Sequence, residues 1–113
     1  MLGLVRTANC PLEIKEEPIV VQKLKKARAL IKQGWLQRDL RLRKNGKDYY
    51  CVLGAIMTQL RSDSFSLAVD LFHEANQIDH VGTWNDRWYR TKWSVLRAFD
   101  KTIALAQKKG EST

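Results

Sequence analysis

Apolar side chains recur at three- and four-residue intervals in four separate runs along this chain, and between Trp35 and Tyr50 that pattern gives way to alternation. Such intervals put side chains on one face of an α-helix, and that face must be buried against another element. The first run is Val20, Leu24, Ala27 and Ile31, widened by Leu30. It predicts a helix over 18–33, with Pro18 in its first turn and Gly34 as its stop. The second run, Val52, Leu53, Ile56, Met57 and Leu60, covers most of the helical wheel and predicts a buried helix over 51–61. Its remaining face, Cys51, Gly54, Ala55 and Thr58, is small enough to let another element approach closely. Phe65, Ala68, Leu71, Phe72 and Ala75 predict a third helix over 65–77, after the turn-and-cap cluster Ser62-Asp63-Ser64. Asp70, His73 and Glu74 fall on its opposite side. Val95 or Leu96, Phe99, Ile103 and Ala106 predict a fourth helix over 92–109, capped by Thr91 and ended by Gly110. Segment 78–90 reads as a loop.

In the interruption, Leu40, Leu42 and Tyr49 alternate around Asn45-Gly46. Asn-Gly is the strongest short hairpin cue, because both residues accept positive φ. It predicts a hairpin of 39–44 with 47–51. The expected architecture is therefore mainly α: a compact four-helix domain over 18–110 with a small β-hairpin between helices 1 and 2. An N-terminal extension over 1–17, with a short strand at Leu2, Leu4 and Val5, precedes it, and a frayed end over 111–113 follows. At 113 residues and 44% hydrophobic content the chain supports one core. It has no internal repeat, and no apolar run approaches the roughly 20 residues that cross a bilayer. Two cysteines, Cys10 and Cys51, do not make a disulfide framework, and the first residues lack the pattern of a secretory leader. The expectation is a cytoplasmic chain with reduced thiols.

Charge is unevenly spread. Twenty Lys and Arg against twelve Asp and Glu leave +8 overall. Residues 23–47 hold ten of the bases and a single acid, Asp39, whereas residues 48–113 hold eight of each. On the first predicted helix Lys25, Arg28 and Lys32 share a stripe away from the core, and Arg41, Arg43, Lys44 and Lys47 belong to the predicted hairpin. Together they have the residue types to hold phosphates or carboxylates, and a field of this sign favours an anionic macromolecule as partner. Nucleic acid and an acidic host-protein face, with this chain as an inhibitor or adaptor, both fit; so does a merely solubilising face. There is no helix-turn-helix, zinc-finger or RNA-recognition signature and no Gly-rich phosphate loop, and no cofactor is expected.

Two segments carry a resemblance. Cys51-Val52-Leu53-Gly54-Ala55 and Asn85-Asp86-Arg87-Trp88-Tyr89-Arg90-Thr91, with Val95 four residues on, resemble a family of small bacterial and phage proteins of unknown function. That family has a Cys-x-x-Gly-Ala helix start and an Asn-Asp-x-x-x-Arg-Thr motif opening its last helix. The resemblance spans about 20–107 and implies a helical architecture and a phage or mobile-element origin, but no activity. Trp88 and Tyr89 stand where the family commonly has Pro-Gly, which marks them as a contact patch particular to this chain. Asn85, Asp86, Arg90 and Thr91 recur as a unit, which implies a structural role: a local turn, a salt bridge from Arg90, and a helix cap.

An enzyme is the competing class. Cys51 stands at a predicted helix N-terminus, where the dipole favours thiolate, and His73, His80 and Asn85 or Asp86 follow in the order of papain-like cysteine hydrolases. That chemistry needs a base within hydrogen-bond reach of the sulfur. Cys51, His73, Asp79 and His80 also have the right types for a metal site, but not the close paired spacing of structural zinc, and no metal is expected. The run Trp84, Arg87, Trp88, Tyr89, Arg90, Lys92, Trp93 interleaves aromatics and cations as single-strand nucleic-acid binders do, and as a loop pinned to a core by its aromatics also does.

Overall fold

The computed structural model describes residues 17–111, and the expected strand at Leu2, Leu4 and Val5 lies outside them. The elements run α1 (Ile19–Gln33), β1 (Arg41–Lys44), β2 (Lys47–Tyr50), α2 (Val52–Gln59), α3 (Ser62–Asn76), α4 (Val81–Asn85) and α5 (Lys92–Glu111). The protein is mainly helical, with one two-stranded antiparallel hairpin between its first two helices. Among the described residues no helix is long and apolar enough to cross a membrane.

α5 packs against α1 on one side and α3 on the other, and α2 closes the core against α1 and α3. α1 turns Val21, Leu24, Ala27 and Ile31 inward; Val21 rather than Val20 completes the stripe, and Val20 is half-buried. Phe72 of α3 lies edge-on to Phe99 of α5 at 5.4 Å and to Trp84 of α4 at 5.5 Å between ring centroids. Such edge-to-face contacts add to the burial of Phe72 and Phe99 and the partial burial of Trp84. Thr102 is buried with them, donating to the Ala98 carbonyl at 2.8 Å and accepting from Asn76 Nδ2 at 3.2 Å.

The Asn45-Gly46 cue is realised as a two-residue turn with φ of 54° and 76°, which sets the register Arg41↔Tyr50, Leu42↔Tyr49, Arg43↔Asp48 and Lys44↔Lys47. The primed turn matches the natural twist of the paired strands. Trp35 adds a parallel bridge to Tyr50, with Leu36 N donating to Tyr50 O and Tyr50 N to Gly34 O. The hairpin root is therefore gripped from both sides.

Four details differ from expectation. A fifth helix, α4, forms inside the expected loop 78–90; five residues are too few to show a period. α3 begins at Ser62, so the serine cluster lies within its first turn. α5 runs through Gly110 to Glu111, and Gly110 lies beside Pro18 at the start of α1. Gly34 ends α1 in extended geometry, not left-handed; its requirement is space, since a Cβ there would lie 2.6 Å from Asp48 O.

The small face expected on α2 does receive a close neighbour. A Cβ on Gly54 would lie 1.9 Å from the Leu40 carbonyl oxygen, which also accepts Cys51 N at 3.2 Å. Gly54→Ala must push the lead-in to the hairpin off α2. It is expected to cost about 3 kcal/mol, measured as the shift in the urea midpoint at unchanged slope.

Candidate functional site: a basic surface over a buried asparagine

Asn85, the last residue of α4, is 1% exposed and uses both ends of its amide. Oδ1 accepts from Trp35 Nε1 at 3.0 Å and from Val52 N at 3.2 Å. Nδ2 donates to Leu36 O at 3.1 Å and to Asp86 Oδ1 at 3.0 Å. Asp86 Oδ1 in turn accepts Arg38 N at 2.8 Å, and Gln37 Nε2 donates to the carbonyls of Asn85 and Arg87 at 3.0 and 2.8 Å. The pair Asn85-Asp86 thus does more than make a local turn: it ties α4 to the hairpin lead-in and to the first amide of α2. Arg90 forms no ion pair among the described residues. Its Nε donates to Trp84 O at 3.0 Å while the guanidinium lies 4.0 Å from the Trp84 ring centre and 5.3 Å from that of Tyr89. Thr91 caps α5 reciprocally with Ser94, each side-chain oxygen accepting the other's backbone amide at 3.1 Å. Truncating Asn85 would leave an indole N–H, an amide and a carbonyl unpaired in the interior. Asn85→Ala is expected to cost about 3 kcal/mol, read from equilibrium denaturation.

Cys51 caps α2: its Sγ accepts Gly54 N at 3.3 Å, and the residue is buried. Burial pushes the thiol above its ordinary value against the pull of the Gly54 and Leu53 amides, and the Asp86 charge adds to the rise. His73 Nε2 accepts Val81 N at 3.1 Å, so His73 braces α4 from the half-buried side of α3 instead of standing free on a polar face. His80 Nδ1 accepts Thr83 N at 3.2 Å and caps α4. Both imidazoles spend a lone pair on backbone amides, and among the described hydrogen bonds neither reaches the sulfur. Nor do the described residues include a group of three or more His, Cys, Asp or Glu placed to hold a metal ion. Iodoacetamide at pH 8 is expected to modify Cys51 at least about tenfold more slowly in the folded than in the urea-unfolded chain, with peptide mapping separating it from Cys10.

The seven cations singled out in the sequence lie on α1 and on the two faces of the hairpin. Lys25 pairs with Glu17. Arg28 turns to α5, where Nη2 donates to Asp100 Oδ2 at 3.2 Å and Nε lies 2.8 Å from Oδ1 without hydrogen-bond alignment. Strand alternation puts Arg41 and Arg43 on one hairpin face, sharing Asp48 at 3.3 and 3.0 Å. Burial acts to raise the Asp48 carboxyl, but hydrogen bonds and charge from both arginines outweigh it and hold it below the usual carboxylate range. Lys44 and Lys47 lie on the other face, directly opposite each other, with Lys47 Nζ 5.1 Å from the Tyr49 ring centre. Lys32, Lys44 and Lys47 have no carboxylate partner among the described residues.

A second basic region is missed when charge is summed by segment. On α5, Trp93, Arg97 and Lys101 follow at i, i+4 and i+8, and all three are exposed. The signal was this stripe, but the even balance of residues 48–113 hides it. Trp88 is 86% exposed and Tyr89 56%, their rings edge-on at 5.6 Å. Lys92 Nζ donates to Lys32 O at 2.8 Å, which joins the start of this region to the end of α1.

Neither the curated proteins nor the solved structures contain a match to this chain. A family model, described as a family of unknown function (DUF6197), matches residues 16–105, the span from the lead into α1 to the last full turns of α5. It takes in Cys51 and Gly54, which meet the hairpin lead-in, and the Asn85 network that locks α4 beneath it, so the chain belongs to DUF6197.

Proposed function

We propose that this chain is a small non-enzymatic binding protein that engages an anionic macromolecule, nucleic acid or an acidic protein face, through the basic surface of the hairpin and the end of α1. One observation carries the reading. Lys44 and Lys47 are directly opposite across the hairpin, beside a turn that offers them no carboxylate. Like charges so placed lower the stability of a strand pair. An anionic partner would turn that cost into affinity. The four cations of the two strands meet a single carboxylate, Asp48, so the tip keeps a positive field. Lys32, exposed at the end of α1, adds another cation without a carboxylate partner among the described residues.

A hydrolase centred on Cys51 has less support, because the sulfur is buried, its pKa is raised and no imidazole is bonded to it. A phage or bacterial origin and a cytoplasmic location fit the proposed binding role.

Lys44→Glu separates the role of charge from that of folding. It creates a cross-strand ion pair with Lys47 and should raise stability by a few tenths of a kcal/mol. The same change should weaken binding to heparin and to a 20-base-pair DNA duplex. In a salt series, Lys44→Glu with Lys47→Glu is expected to flatten the log–log slope of affinity by about two. Affinity untouched by both substitutions would remove the hairpin from the proposal.

A further inference from the structure

The loop before α5 is tied down by hydrogen bonds to its backbone yet leaves its largest side chains in water. Gln37 holds the Asn85 and Arg87 carbonyls, Arg90 N closes a turn onto Arg87 O at 3.0 Å, and the Arg90 guanidinium lies against the rings of both Trp84 and Tyr89. The core takes only Trp84 and Trp35 from the four tryptophans. Trp88 and Trp93 are left 86% and 69% exposed, and Tyr89 lies beside Trp88. Two shallow clefts flank the Trp84–Arg90 stack. One, of about 280 Å³, runs beside Tyr89, Arg87 and Asp79; the other, of about 230 Å³, is bordered by Ser94, Arg97 and Lys101. Arg87, Arg97 and Lys101 have no carboxylate partner among the described residues, while Asp100 on the same helix is taken by Arg28.

We infer that this corner is a stacking platform for single-stranded nucleic acid: unpaired bases lie on Trp88, Tyr89 and Trp93, and phosphates follow Arg87, Arg97 and Lys101. The inference rests on the reading of the chain as an anion-binding protein and names its ligand. Aromatic faces accept any base, and cations at intervals track the backbone. A duplex keeps its base faces stacked inside and cannot use the rings. An acidic protein partner would use the cations, and protein interfaces also enrich aromatic and arginine side chains, but around a core depleted of charge. Here the exposed side chains from Arg87 to Arg97 are aromatic, cationic or hydroxyl, with no aliphatic among them.

The test is a fluorescence titration of the full chain at 50 mM salt with oligo(dT) of 20 nucleotides, a mixed-sequence single-stranded RNA 20-mer, a 20-base-pair duplex and poly-glutamate. Stacking should quench the exposed tryptophans, and at least one single strand should bind about tenfold or more tighter than duplex. Trp88→Ala and Trp93→Ala should each weaken single-strand binding about tenfold, with Trp88→Phe restoring most of the loss. Because these side chains are exposed, the variants should keep the parent melting temperature. Arg97→Glu with Lys101→Glu should flatten the salt slope by about two. Equal or tighter duplex binding that is lost in Lys44→Glu but unchanged in Trp88→Ala overturns the platform and leaves the hairpin reading standing. Poly-glutamate binding that depends on Trp88, without oligonucleotide binding, assigns the corner to a protein partner and also overturns it. No binding to any of the four polyanions sinks both.

Discussion

The side-chain amide of Asn85 is the one buried polar group on which the arrangement of α4, the hairpin lead-in and α2 depends. A buried amide is tolerated only when its donors and acceptor are met, and a satisfied one specifies a single geometry. Here each bond reaches a different place: an indole and a carbonyl on the path from α1, the first amide of α2, and the neighbouring carboxylate. No apolar side chain could hold those three backbone segments in one register. The directionality comes from the bonds, while the bulk of the stability comes from the rings and aliphatic chains packed around them.

Cys51 and Gly54 complete that junction from the other side. Sγ takes one of the amides that a helix start leaves unpaired, and Gly54 lets the Leu40 carbonyl come within the space of a methyl group. A thiol is a weak acceptor, but it is also a small hydrophobe that fits a buried cap where a hydroxyl would cost more to desolvate. The Cys-x-x-Gly spacing is therefore explained by packing and capping. The sulfur's raised pKa follows from the same burial.

The four long helices and the hairpin were legible because each rests on a local pattern. Phe72, Phe99, Leu24 and Ile56 fall on the period that buries them, and Asn45-Gly46 has few alternatives to the turn it makes. What was not legible depends on tertiary contact. α4 is capped locally by His80, but its first amide is received by His73, eight residues back on α3, a partner that no spacing within the loop reports. Past Lys109, α5 continues beside Pro18, at the far end of the described chain, a proximity that no local pattern reports. Arg90 was expected to find a carboxylate and instead found a ring and a carbonyl, since no residue spacing reports which flat surface will fold beneath a guanidinium.

Segment sums of charge fail for the same reason. Residues 48–113 are neutral as a string, yet their acids and bases part company on folding. Asp48 goes to the hairpin, Glu74 to Lys109, and Asp100 to Arg28, so carboxylates are spent on the hairpin, the far end of α5 and the side of α1. Arg87, Arg97 and Lys101 remain around the exposed rings. Conversely, the strongly basic stretch 23–47 loses part of its excess to those same carboxylates and divides its remainder between two hairpin faces and the end of α1. The field that a partner meets is set by which cations are left after pairing, and exposed aromatic side chains beside such cations add a shape requirement that charge alone lacks. Under the proposed function, a polyanion with flat, accessible faces would meet both demands at once, whereas a featureless one would meet only the first.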